Sequence, residues 1–123
     1  MFSPEFVTYA AAADGGLAIG LRLNWFRPLP LSCVEALTVS LPGEPLPPGV
    51  LTLDGTRYAV AALGDHEDVW WSFLSDAELF VPCTRPVDGA GVRVTMSTRI
   101  PLFVDHTGAA VTVTDTSVLA VAA

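Results

Sequence analysis

The chain has 123 residues, of which 51% are hydrophobic and only 15% are charged, and its mean hydropathy is +0.51. Its formal net charge of −7 argues against nucleic-acid binding, which requires a basic surface, and against binding to anionic membranes. A chain of this length predicts one domain over residues 1–123. No apolar run reaches the ~18 to 20 residues that span a bilayer. The N-terminus does not resemble a signal peptide, so we expect the protein in the cytoplasm.

Residues 17–32 begin as a half-buried strand and end in an aromatic turn. In residues 17–23, leucine and isoleucine alternate with small or polar residues, which places the apolar side chains on one face of a sheet. Trp25 and Phe26 are adjacent, so an extended chain would direct at least one ring away from the core. Arg27 and two prolines follow. Because Trp and Arg recur at binding hot spots, this turn predicts a contact surface, with a buried aromatic corner as the structural alternative.

The next segments predict further strands. Residues 33–41 alternate in polarity, and the proline-rich residues 42–49 predict a turn or an edge strand. An Asp-Gly pair at residues 54–55 separates two apolar runs, residues 50–53 and residues 56–63. This arrangement is typical of a β-hairpin with a two-residue turn.

An aromatic segment at residues 69–73 follows an acidic loop and is predicted to be extended. Trp70 and Trp71 are neighbours within it, so one indole should face the core and the other should be exposed. An exposed indole either anchors a subunit interface or stacks on a sugar ring.

The clearest strand lies at residues 91–100, where apolar residues and Thr98 alternate with Arg, Thr and Ser, and Pro101 is predicted to end it. The other predicted elements are a strand at residues 78–82 with at most one helical turn before it, a turn at residues 105–108, and closing strands at residues 110–114 and 117–121.

These short strands, separated by Gly, Pro and Asp turns, predict an all-β fold arranged as a single antiparallel β-sandwich. No segment has the i, i+3, i+4 apolar pattern of a three-turn helix, which excludes alternating β and α units.

No pattern identifies a catalytic or metal site. His66 and His106 lie beside carboxylates, but a metal site needs three or four converging ligands, so we expect exposed loop histidines. Cys33 and Cys83 lack ligand spacing and are expected to be small apolar residues, with a disulfide between them left open. The motifs of serine hydrolases, zinc proteases and nucleotide-binding loops are all missing from the sequence. We therefore predict no catalytic residue, metal or cofactor in this chain.

The order of these features resembles the β subunits of bacterial C-glycoside deglycosidases, over about residues 15–105. Residues 68–73 (DVWWSF) and 95–103 (TMSTRIPLF) resemble two later strands of that family, although residues 101–103 replace a more usual Ser-Tyr. Pro28 stands where the family has glycine. The family's strand ending in Arg, two aromatics, Arg and Pro-Leu-Ser corresponds to Arg22, Trp25, Phe26, Arg27, Leu29, Pro30, Leu31 and Ser32.

The resemblance implies an accessory, non-catalytic subunit of a lyase complex active in carbohydrate metabolism. Its partner would be a larger TIM-barrel α subunit that carries the catalytic histidine and a divalent metal, expected to be manganese. The substrate would be a 3-oxo-glucoside, in which the C3 ketone acidifies the C2 proton. By this resemblance a base would remove that proton, the metal would supply charge stabilisation for the enediolate, and the aglycone would leave from C1 by elimination.

The resemblance also gives roles to individual side chains. Trp25, Phe26 and Arg27 of the aromatic turn would contact the α subunit. Arg22 and Arg99 would support this contact from the sheet surface, and the alternative is that both arginines are ordinary solvated residues. A stand-alone carbohydrate-binding module and a structural domain that self-associates through residues 120–123 stay as alternatives. The candidate residues for the partner interface or the active-site mouth are Trp25, Phe26, Arg27, Arg22, Trp71 and Arg99.

Overall fold

A computed structural model describes residues 6–23, 28–72, 75–83, 89, 91–104, 108 and 110–121. Over these residues the protein is built from β-strands and two short 3-10 helices, Leu31–Cys33 and Val60–Asp65. The strands are β1 (Val7–Ala13), β2 (Gly16–Leu21), β3 (Leu29–Pro30), β4 (Val34–Leu41), β5 (Glu44–Pro45), β6 (Val50–Leu53), β7 (Thr56–Ala59), β8 (Trp70–Trp71), β9 (Ala77–Pro82), β10 (Gly91–Val104) and β11 (Ala110–Ala120).

Five strands form an antiparallel sheet in the order β1-β2-β9-β6-β7. The alternation in β2 has the predicted effect, because Leu17, Ile19 and Leu21 are fully buried. The residues between them point to the opposite face, which we call the outer face of this sheet. Strand β1 was not predicted, because its VTYAAAA sequence has little of the apolar alternation by which the other strands were identified.

A four-stranded antiparallel sheet has the order β11-β10-β4-β5, and β3 pairs with β8 in a two-stranded sheet. The proline-rich segment supplies the edge strand β5, as predicted. Within β10, Val92, Val94, Met96 and Thr98 are fully buried and alternate with arginines and hydroxyl residues. The predicted alternation in this strand is confirmed.

The predicted hairpin between β6 and β7 is confirmed. Asp54 and Gly55 both adopt left-handed conformations, with φ of 52° and 80°, as a type I′ turn requires. The predicted second strand of the hairpin is too long, however. It ends at Ala59, and Val60–Asp65 form a 3-10 helix that buries Leu63. Residues 60–65 contain two alanines and a glycine, which have low strand propensity. The 3-10 helix that buries Leu63 therefore forms in place of a longer strand.

Two predictions at the C-terminus are wrong. Strand β10 continues past Pro101 to Val104, and the register with β11 shifts between Ile100 and Val104, so Pro101 lies where regular pairing is interrupted. The two predicted closing strands are one continuous strand, β11, paired with β10 through Asp115 and Thr116. Of the turn predicted at residues 105–108, only Gly108 lies within the described residues, with φ of 86°.

Buried side chains from both large sheets belong to one hydrophobic cluster. The predicted all-β, antiparallel fold is confirmed, while the sandwich arrangement and the single-domain assignment stay predictions. No helix within the described ranges is long and apolar enough to cross a membrane.

Candidate partner-binding surface

An ion pair joins the ends of two neighbouring strands. Arg22 follows β2, and its backbone N–H donates to Phe6 O at 2.7 Å. Its Nε donates to Asp76 Oδ1, just before β9, at 2.8 Å. The two side chains are 51% and 70% exposed, so the pair contributes no more than about 1 kcal/mol to stability. Arg22 is thus a charged residue at the surface end of β2, and its support of the aromatic turn stays a prediction.

Tyr9 lies on the outer face of the five-stranded sheet, directly across from Gly20. A Cβ at Gly20 would collide with the Tyr9 ring, so the ring lies over this glycine. The Tyr9 hydroxyl donates to Glu78 Oε2 at 2.6 Å. This hydrogen bond, aided by burial, raises the pKa of Tyr9 to about 12.

These polar contacts line an open groove of about 460 Å³. Arg22 and three carboxylates, those of Asp54, Asp76 and Glu78, contribute to its wall, which gives this wall a formal charge of −2. The groove therefore suits a partner surface that carries basic side chains.

The structure separates the two tryptophans of β8. Trp71 is fully buried, and its Nε1 donates to Ser75 O at 3.0 Å, whereas Trp70 is 59% exposed and lies across from Pro30. The prediction that one indole is core and the other exposed is confirmed. Trp71, our candidate surface residue, is the core one, and Trp70 is the indole that a partner can reach. A two-residue alternation does not reveal which of two adjacent large aromatics faces inward.

Backbone hydrogen bonds hold this corner in place. Leu31 N–H donates to Val69 O at 2.8 Å, and Ser32 N–H donates to His66 O at 3.1 Å. The His66 and Tyr58 rings pack edge to face with their centroids 4.9 Å apart, and His66 is half-buried. It is therefore a packed residue and not the exposed loop histidine that we expected; His106 lies outside the described residues.

The structure brings some of the predicted interface residues together and not others. Arg22 and Trp71 share a neighbourhood, because Ser75, which accepts the Trp71 hydrogen bond, precedes the Asp76 partner of Arg22. Arg99 is on the other large sheet, half-buried on β10 across from Thr112. Trp25, Phe26 and Arg27 lie outside the described residues.

Within the described residues, no three His, Cys, Asp or Glu side chains converge as metal ligands, and no buried side-chain nitrogen or oxygen lacks a hydrogen-bond partner. Cys33 is buried and Cys83 is half-buried, and the two do not form a disulfide.

Comparison with known proteins assigns the family. No family model matches this chain. The 3'-dehydrocarminate deglycosidase beta subunit of a Microbacterium species is 37% identical over 94 residues, which cover 73% of this chain and 70% of that protein. A C-glycoside deglycosidase beta subunit of Arthrobacter globiformis is 30% identical over 98 residues, covering 76% and 75%. The resemblance inferred from the motifs is confirmed, and this chain belongs to the family of C-glycoside deglycosidase β subunits.

Proposed function

We propose that this chain is the accessory β subunit of a C-glycoside deglycosidase complex whose catalytic residues reside in a larger α subunit. The observation that carries the proposal is the similarity to two proteins named as deglycosidase β subunits, over about three quarters of this chain. The exposed Trp70 and the acidic groove beside β2 support it, because indole and charge-complementary surfaces are common at subunit contacts.

The reaction that we propose for the complex is an elimination on a 3-oxo-glucoside. The C2 proton is acidic because the neighbouring C3 is a ketone, so a base in the α subunit can remove it. The electron pair left by this proton forms an enolate, which collapses to a C1–C2 double bond. The bond from C1 to the aglycone breaks, and the aglycone leaves with the electron pair and takes up a proton. The complex is therefore a lyase in this proposal, and the cleavage consumes no water.

The α subunit in this proposal is a TIM barrel with a divalent metal, manganese, at its active site. The described residues of the β subunit do not fit that metal, because they provide no group of three converging ligands. TIM-barrel active sites open at the C-terminal face of the barrel. A β-rich neighbour can brace or narrow that opening without supplying an acid or a base.

A carbohydrate-binding module is the second candidate, and the 59% exposed Trp70 favours it, because an exposed indole can stack on a sugar ring. The two functions make different demands on the isolated chain. A binding module should bind glucosides by itself, whereas an accessory subunit needs its partner.

Capture of the partner tests the proposal. The full chain, tagged and expressed in its native host, should retain one TIM-barrel protein in stoichiometric amount, identified by mass spectrometry. Calorimetry of the isolated chain with a 3-oxo-glucoside should show no binding. A chain that captures no such barrel, or that binds the glucoside alone through Trp70, would contradict the proposal.

A further inference from the structure

The outer face of the five-stranded sheet has a polar half and an apolar half. The polar half contains the Tyr9 and Glu78 pair and the acidic groove. In the apolar half, one row of directly paired residues crosses all five strands. We call this set the apolar row: Ala11, Ala18, Phe80, Val50 and Ala59.

Every member of the apolar row is half-buried or exposed, although none carries a polar side chain. Phe80 is the aromatic member of the row, and it lies on β9, the central strand of the sheet. Ala13 and Pro82, both exposed, extend the apolar surface beyond the row. Adjoining apolar side chains that stay partly accessible are a candidate interaction site.

Two glycines of β2 lie beside aromatic rings on this face. A Cβ at Gly16 would first collide with the backbone oxygen of Val81 and would also lie 3.0 Å from Phe80 Cζ, so the Phe80 ring lies near that glycine. The Tyr9 ring covers Gly20 of the same strand in the same way. The two aromatic rings therefore lie along the sheet and fill the gaps that glycine leaves.

The face supplies part of the area that a stable interface needs. Five strands span about 24 Å, and six residues of β2 extend about 20 Å, which gives a flat area of about 500 Å². A specific interface buries about 800 Å² of accessible surface on each partner. The side chains that project from the sheet add accessible surface to this flat area.

The rim of the face indicates the chemistry of its partner. The groove at the Arg22 end carries a formal charge of −2, and the exposed Arg57, across from Thr52 in the same row as Glu78, brings this end of the face to −1. At this end Asp76 pairs with Arg22, and the neighbouring Ser75 accepts the hydrogen bond of the buried Trp71 indole. A complementary surface would thus be apolar and flat at its centre and basic at one edge.

We propose that the outer face of the five-stranded sheet, centred on Phe80, is the surface by which this chain binds its α subunit. The inference rests on the proposed function, which supplies the partner, and it adds the site of contact. The α subunit would cover the apolar row with a flat apolar patch and place Lys or Arg side chains beside Asp76 and Glu78.

A matched pair of substitutions tests the site. Ala18→Glu puts a carboxylate into the apolar row, and Val118→Glu puts the same side chain on the outer face of the other large sheet, where Val118 is 59% exposed. With the purified α subunit from the capture experiment, calorimetry should give a Kd at least about 30-fold weaker for Ala18→Glu, as for loss of a hot spot. Val118→Glu should keep the wild-type Kd. Circular dichroism and thermal unfolding establish that both variants fold.

Footprinting of the wild-type pair keeps the test decisive should Ala18→Glu not fold. Hydroxyl radicals oxidise aromatic side chains that solvent reaches. Complex formation should slow the oxidation of Tyr9 and Phe80 by about fivefold or more, because interface cores are packed as densely as protein interiors. Unchanged oxidation of both rings would overturn the assigned face.

The outcomes separate the two proposals. If the wild-type chain binds no α subunit, the proposed function fails. If wild type binds and Ala18→Glu binds equally well, or Val118→Glu is weakened as much, the assigned face is wrong while the function stands. If Ala18→Glu converts a dimer of the isolated chain into a monomer and leaves α binding unchanged, a second copy occupies the face, and the assignment is again overturned.

Discussion

The hydroxyl of Tyr9 on β1 donates to the carboxylate of Glu78 on β9 across the intervening strand β2. The 2.6 Å contact exists because Gly20, which lies between them in register, has no side chain. Because Gly20 has no side chain, the Tyr9 phenol lies over β2 and links β1 to β9.

The first prediction concerns alkaline pH. Folding raises the pKa of Tyr9 from 10.0 to about 12, chiefly through the hydrogen bond to Glu78. Its contribution to stability is therefore complete below pH 10 and is lost as the pH rises to about 12. Tyrosinate absorbance of the folded protein should show Tyr9 titrating well above its ordinary pKa. Tyr9→Phe should remove that step and make the free energy of unfolding less dependent on pH above 10.

The second prediction concerns the tryptophan pair. Trp71→Ala should lower the free energy of unfolding by about 3–5 kcal/mol, because it empties a fully buried site. Trp70→Ala, at 59% exposure, should change it by less than about 1 kcal/mol. Urea unfolding followed by circular dichroism measures both. Equal losses of stability would contradict the assignment of Trp71 to the core.

The third prediction concerns the hairpin turn. Gly55 has φ of 80°, a left-handed conformation that alanine adopts only with strain, so Gly55→Ala should cost about 1 kcal/mol of stability. The control is Gly64→Ala, where no atom lies within 4 Å of the added Cβ and φ is not left-handed. Chemical denaturation should leave the control near wild type. A control as unstable as Gly55→Ala would show that conformation at residue 55 is not the cause.

The fourth prediction concerns the strand under Tyr9. Gly20→Val places a branched side chain where the Tyr9 ring lies, so the ring must leave and its bond to Glu78 must break. We expect a loss of about 1–3 kcal/mol, as for other overpacked sites. Thermal unfolding measures the loss. The double variant Gly20→Val with Tyr9→Ala should recover part of it, and no recovery would place the clash elsewhere.

Much of the fold followed from alternation and turn chemistry. The apolar period of two in β2 and β10 predicted both central strands and their buried faces, because a half-buried strand requires that pattern. The Asp-Gly pair predicted the turn at residues 54–55, because both positions need positive φ. Strand β1 was not predicted, because its alanines do not distinguish an inward from an outward position.

The candidate site could be predicted only in part. Arg22 lies at the surface end of β2 because the alternation places it outward, which the sequence shows. The choice between Trp70 and Trp71 depends on how β8 packs, and periodicity within a two-residue strand contains no such information. The apolar row was hidden for another reason: its members come from five strands, and register between distant strands joins them.

Aglycone release from a 3-oxo-glucoside tests most directly whether this chain is an accessory subunit of the complex. The rate is measured for this chain, for the α subunit and for the two together. With the α subunit held fixed, added β subunit should raise the rate until the two chains are stoichiometric, and this chain alone should release nothing. Release by this chain without a partner, or a rate that ignores its addition, would contradict the account.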